Sequence, residues 1–82
     1  MSPKTIHIQY FAALREQRGV SQETITTSAQ TAKDLYKELH GKHNFKISQS
    51  LLKVAVNNEF SDWETPIHAN DTVVFIPPVA GG

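Results

Sequence analysis

Residues Thr72-Val73-Val74-Phe75-Ile76 are apolar on both faces of any strand they form, and Pro77-Pro78 follow at once. Each proline fixes φ and lacks an amide hydrogen, so sheet pairing is expected to end at Ile76. A strand without a polar face belongs in the middle of a sheet. One layer of the chain must cover its first face, and the second face invites a covering by another protein. Alternation puts Val73 and Phe75 on one face and Val74 and Ile76 on the other.

Beyond the prolines the sequence ends Val79-Ala80-Gly81-Gly82. This segment is expected to leave the body as an extended arm. At about 3.3 Å per residue, the six residues after Ile76 span roughly 20 Å. Gly81 and Gly82 carry no side chains, so a partner's backbone or a reactive centre can approach them closely. Chain ends are ordinarily frayed and tolerant of change, so a glycine pair alone carries little weight.

The chain has 82 residues, which suits one small domain with a marginal core. It contains no cysteine, which removes disulfides, thiolate metal sites and thiol nucleophiles of its own. No apolar run approaches membrane-spanning length, and Met1-Ser2-Pro3-Lys4 is unlike a signal peptide, so a cytoplasmic location is expected. Net charge is zero, but the signs are segregated. Residues 1–53 hold eight basic and four acidic residues, whereas residues 54–82 hold Glu59, Asp62, Glu64 and Asp71 and no Lys or Arg. Zero net charge argues against nonspecific nucleic-acid binding. The segregation is either chance on a solvated surface or an acidic region suited to a basic partner.

Thr5–Tyr10 alternates Ile6, Ile8 and Tyr10 with polar residues, the pattern of a half-buried strand. Phe11–Arg18 consists largely of helix formers and stops at Gly19, which predicts a short helix with Phe11 and Leu14 toward the core. Glu23–Thr27 is a second, β-branched strand. Thr31 and Asp34 resemble a capping box, and Ala32, Leu35, Tyr36 and Leu39 follow at helical spacing, so the main helix is expected to end near Gly41. Residues 42–50 are read as a loop. Leu52–Val56 is a third strand, Asn57-Asn58 a tight turn, and Glu59-Phe60 the start of a short returning arm. The order is that of an α+β domain with one main helix on a mixed sheet, its first and last strands parallel.

Conventional chemistry finds little purchase here. His40 and His43 lie three apart with Gly41 between them, and no third metal ligand accompanies them. No nucleophile elbow or phosphate-binding glycine loop is present. Glu59, Asp62 and Glu64 could gather near the Asn57-Asn58 turn, but paired-carboxylate chemistry needs a cleft that so short a chain can hardly build. The side chains argue against an enzyme acting alone, which leaves the terminal carboxylate as the unusual functional group. Trp63 has two readings, an exposed interface anchor or a ring folded back over the core, and the second is preferred. His7 is placed at the surface.

Three segments together resemble a known family. Phe11-Ala12-Ala13-Leu14-Arg15-Glu16 after the first strand, Val54-Ala55-Val56-Asn57 in the middle, and Asp71–Gly82 with its Pro-Pro-Val-x-Gly-Gly ending are similar to the small subunit of molybdopterin synthase. The resemblance covers nearly the whole chain, with residues 30–52 matching in pattern more than in residues, and Trp63 departs from the usual sequence. It implies a β-grasp (ubiquitin-like) fold over residues 1–76 and a flexible, extended Gly-Gly tail over 77–82. It also implies that an E1-like activating enzyme adenylates Gly82 with ATP and magnesium and that a sulfur donor then leaves a thiocarboxylate there. The large synthase subunit, in a heterotetramer, would guide that sulfur to cyclic pyranopterin monophosphate. No stably bound cofactor, nucleic acid or membrane is implied. Gly81 would give clearance in a narrow channel, and Pro77 and Pro78 would pre-order the arm that Val79 and Ala80 continue. Phe60, Val74 and Ile76 would form the apolar docking patch and Arg15 a rim salt bridge, against ordinary core packing as the other reading of Phe60. Alternatives are a ubiquitin-like protein modifier and a sulfur carrier of another pathway, such as thiamine synthesis.

Overall fold

A computed structural model describes residues 3–77, and Pro78, Val79, Ala80, Gly81 and Gly82 lie outside the described residues. Five strands and two α-helices follow in the order β1 (Lys4–Tyr10), α1 (Ala12–Arg18), β2 (Gln22–Thr27), α2 (Ala32–His43), β3 (Lys53–Val56), β4 (Glu59–Ser61) and β5 (Thr72–Ile76), with a 3-10 turn at Gln49–Leu51. The strands form one mixed sheet in the order β2-β1-β5-β3-β4. The all-apolar β5 is its central strand, parallel to β1 and antiparallel to β3. Its last paired residue is Ile76, opposite Lys53, as the prolines dictate. The architecture is the β-grasp.

The alternation read from the sequence sorts the sheet into two faces. Ile6, Ile8, Tyr10, Val54, Val56, Val73 and Phe75 join Leu35, Tyr36 and Leu39 of α2 in one buried cluster. Tyr36 is its hub, with its ring 5.1 Å from Phe75, 5.9 Å from Trp63 and 6.0 Å from Phe45. Trp63 folds back as preferred, stacked on Phe75 at 5.9 Å with 8° between the planes. Its loop also caps α2: the Lys33 amide donates to the Trp63 carbonyl and the Ala32 amide to the Thr65 carbonyl. The Thr31 side chain completes the cap by accepting from the Asp34 amide at 3.2 Å.

Several expectations need correction. Phe11 does not face the core: it is the extended N-cap of α1 and 46% exposed, while Leu14 alone of that helix is buried. Ala12 takes a positive φ of 51° as the chain turns from strand to helix, a conformation costing a non-glycine residue roughly 1–2 kcal/mol. Gly41 does not end α2, which runs on to His43 and closes at Asn44 in the left-handed region. A glycine inside a helix costs only about 1 kcal/mol, and the buried Phe45 ring beyond the cap anchors the longer helix. Residues 42–50 are accordingly not a plain loop. Glu59, Asp62 and Glu64 do not gather into an acidic site. Asp62 instead accepts from the Glu64 amide and the Thr65 hydroxyl, holding the loop that caps α2.

Candidate docking face

On the face of the sheet opposite α2, the composition changes across the width of the sheet. On the β1–β2 side this face carries Thr5, His7, Gln9, Gln22, Thr24 and Thr26, polar residues at strand positions that alternate with the core. There His7 Nδ1 and Thr24 Oγ1 lie 3.0 Å apart. On the β5–β3–β4 side it becomes apolar. Register sets Val74 opposite Ala55 and Ala55 opposite Phe60, so three consecutive strands contribute one row. Ile76 and Lys53 form the neighbouring pair toward the end of β5.

Phe60 projects from this row with 77% of its surface exposed. It is the most exposed large apolar side chain among the described residues, so core packing is not its role. An open groove of about 530 Å³ runs beside it, lined by Lys53, Val54, Phe60, Ser61 and Asp62. Val74 is largely covered at 7% exposure yet stands outside the main core cluster, and Ile76 is half-buried. The patch is therefore a projecting ring beside a flatter aliphatic floor, rather than three equally exposed side chains.

Sequence reasoning missed two members. Ala55, itself only 8% exposed, follows from the parity of β3 once its pairing with β5 is known and belongs to the floor of the patch. Phe11 follows from continuing the β1 alternation one step past Tyr10: its backbone is still extended, so it shares the parity of Gln9, the partner of Val74. That places Phe11 at the register level of Ile76, on the open side. Arg15 is exposed on α1, and no ion pair joins it among the described residues. Pro77 is buried rather than standing clear of the body, whereas Pro78, Val79, Ala80, Gly81 and Gly82 lie outside the described residues.

The root of β5 is held by a polar clasp. Asn57 has φ 53° and Asn58 φ 71°, the left-handed pair of a tight β3–β4 turn. The Asn57 side-chain amide donates to Asp71 at 2.9 Å, and its oxygen accepts from the Thr72 amide at 3.0 Å. Burial pushes the Asp71 carboxyl upward. The bonds from Asn57 and the His68 amide outweigh that and hold it below its ordinary value. The turn next to Phe60 is thus tied to the first residue of the central strand.

A second polar cluster lies under α1, away from the patch. Arg18 donates to both oxygens of Glu23, at 3.0 and 2.7 Å, and the Tyr10 hydroxyl donates to the same carboxylate. The Arg18 bonds lower the Glu23 carboxyl against the opposing effect of burial, while burial and then Glu23 push the Tyr10 hydroxyl up. These groups are mutually satisfied, which marks them as a strut between α1 and β2. His40 and His43 both lie on α2, and among the described residues no group of three or more potential ligands could hold a metal ion. No helix among the described residues is long and apolar enough to cross a membrane.

Comparison with known proteins gives this arrangement a lineage. The putative molybdopterin converting factor subunit 1 of Pyrococcus furiosus superposes with TM-score 0.77 at 27% identity, covering 93% of this chain and 99% of that one. A chain in the complex of subunits 1 and 2 of the molybdopterin-converting factor from Helicobacter pylori is 25% identical, with TM-score 0.65 and coverage of 95% and 99%. The small archaeal modifier protein 1 of Haloferax volcanii shares the fold at TM-score 0.76 and 21% identity, covering 93% and 99%. The ThiS family profile matches residues 8–82, which takes in all but the start of β1 and reaches the terminal glycines. The chain belongs to the ThiS family, the ubiquitin-like sulfur carriers.

Proposed function

We propose that this chain is the sulfur-carrying small subunit of molybdopterin synthase. The observation that carries the reading is the exposed Phe60 at the end of an apolar row that crosses Ala55 to Val74, on the strand that runs into Pro77. A partner seated there receives the chain end at the margin of its own binding surface. Among the similar structures are a putative molybdopterin converting factor subunit 1 and the complex of subunits 1 and 2 of a molybdopterin-converting factor.

In this reading residues 1–76 dock and residues 77–82 deliver. The Gly82 carboxylate is a poor acyl donor, because displacing one of its oxygens requires a poor leaving group. An E1-like enzyme overcomes this with ATP and magnesium by forming an acyl-adenylate at Gly82. A sulfur donor displaces AMP, leaving a thiocarboxylate whose sulfur is a good nucleophile. The large subunit binds the face formed by Phe60, Val74 and Ile76, with Arg15 at the rim, and takes in Pro78, Val79 and Ala80 beyond the buried Pro77. Gly81 and Gly82 then enter a channel in which a side chain would clash. The sulfur bonds to cyclic pyranopterin monophosphate, and water then cleaves the acyl–sulfur bond, leaving sulfur on the substrate and returning Gly82 to the carboxylate. The chain supplies the donor atom and its partner the catalytic groups. The setting is the cytoplasm and the assembly a heterotetramer.

A second reading, attachment of Gly82 to lysines of other proteins, draws support from the fold shared with the small archaeal modifier protein. Intact-mass analysis after co-expression with an activating enzyme separates the two. An oxygen-to-sulfur mass gain on the free chain supports the carrier, and isopeptide adducts support the modifier. Deleting Gly82 should abolish molybdopterin formation in a reconstituted assay with the large subunit. Full activity of the shortened chain would overturn the carrier reading.

A further inference from the structure

The two edges of the sheet differ in kind. The β4 edge is three residues long, starts at Glu59 and is followed directly by Asp62. Short, charged edges of this sort discourage pairing. The β2 edge is six residues long, Gln22-Glu23-Thr24-Ile25-Thr26-Thr27, with no proline, lysine or arginine. Its one charge, Glu23, is turned to the helix side and consumed by Arg18 and Tyr10.

The register shows which backbone groups that edge offers. The Tyr10 amide donates to the Ser21 carbonyl, and Tyr10 and Ser21 continue the β1–β2 pairing one step past Gln9 and Gln22. In an antiparallel ladder such bonded pairs recur every second residue, so Ser21, Glu23, Ile25 and Thr27 turn their amides and carbonyls toward β1. Those of Gln22, Thr24 and Thr26 point outward. The same parity is seen on the far side of β1, where the His7 amide donates to Asp71 and the Thr5 carbonyl accepts from Asn70, both in the β5 direction.

We propose that the β2 edge pairs antiparallel with the β2 edge of a second copy of this chain, on a two-fold axis through Thr24. In that register Thr24 faces Thr24 and Gln22 faces Thr26 on the open face, while Glu23 faces Ile25 on the helix side. Each of the three outward-bonding pairs exchanges two main-chain hydrogen bonds. No charge meets a like charge, and threonine opposite threonine is a favourable cross-strand pair. The strand is therefore complementary to itself, which is the requirement of an isologous contact. The zero net charge of the chain leaves no long-range repulsion between copies. The result is one continuous sheet in which both Phe60 faces and both Pro77 roots stay free, because two strands separate β2 from β3. A dimer of this kind presents two carriers at once.

The experiment is sedimentation equilibrium of the full chain over a wide concentration range, with hydrogen exchange read residue by residue. A concentration-dependent dimer is expected in which the Gln22, Thr24 and Thr26 amides gain protection, while those of Glu23 and Ile25 are protected already in the monomer. Thr24→Pro removes the outward donor and, with it, only the exposed hydroxyl beside His7; proline is compatible with an edge strand, so the fold persists while the dissociation constant rises ~30-fold. Thr24→Lys and Thr24→Glu each place like charges across the axis and should give monomers, and mixing the two in equal amounts should restore the dimer. A chain that stays monomeric throughout, a dimer indifferent to all three substitutions, or a mixture that fails to reassociate would each overturn the proposal.

Discussion

Replacing Phe60 with alanine separates a docking residue from a core residue. The ring is 77% exposed, so the free chain has little burial to lose. The cost in folding should stay within about 0.5 kcal/mol, the range of ordinary surface substitutions. For a domain of this size that moves Tm by only about 2–4 °C. Full burial of a phenylalanine against a partner contributes about 1.5–3 kcal/mol, and most of that is still available to Phe60. Its loss should therefore weaken the complex with the large synthase subunit by about 2 kcal/mol, or roughly 30-fold in Kd. Phe75→Ala is the control from the other face of the sheet. That ring is fully buried, so its loss costs about 3–5 kcal/mol of stability. Isothermal titration with the large subunit and thermal melting of the free chain measure the two quantities. A Phe60→Ala variant that binds normally, or one that melts as low as Phe75→Ala, would refute the assignment of this face.

Two further perturbations test the polar supports. Glu23 has a folded-state carboxyl below its ordinary 4.5, first because of the Arg18 hydrogen bonds, so its contribution is present above that value and is lost as pH falls through the folded value. Glu23→Gln should cost about 1–2 kcal/mol at neutral pH, with the Tm gap to wild type closing as pH falls below the ordinary carboxyl value and through the lowered folded one; a gap that holds constant with pH would exclude the strut. Asn57→Ala loses the amide bridge to Asp71 and Thr72 and strains a positive φ, costing about 2–3 kcal/mol in denaturant unfolding. Asn57→Gly should recover only the part due to φ, and complete recovery would show that the bridge contributes nothing.

Much of the molecule was legible before any coordinates. The two-face apolarity of residues 72–76 and the prolines after them put β5 in the centre and ended it at Ile76. The alternation of Ile6, Ile8 and Tyr10 chose the buried face of β1. The spacing of Leu35, Tyr36 and Leu39 chose that of α2. The left-handed Asn57-Asn58 turn was readable because few residues tolerate that conformation. These features are local: they depend on period, side-chain size and allowed φ, all of which the neighbouring residues reveal.

What remained was decided by contacts between segments far apart in the chain. Gly41 reads as a stop signal, yet the packing of Phe45 carries the helix past it. Phe11 reads as a helix face residue, yet it follows the last paired residue of β1 with its backbone still extended, and strand parity places it on the open side. Phe60 was legible as an apolar residue in a polar arm, but its exposure required knowing that β4 pairs with β3 at the sheet's edge. The unprotected outward amides of β2 exist only once β1 has taken the alternate ones. Sequence periodicity states which residues share a face. Only the long-range pairing of strands determines which face is covered, because burial is a property of what arrives from elsewhere in the chain.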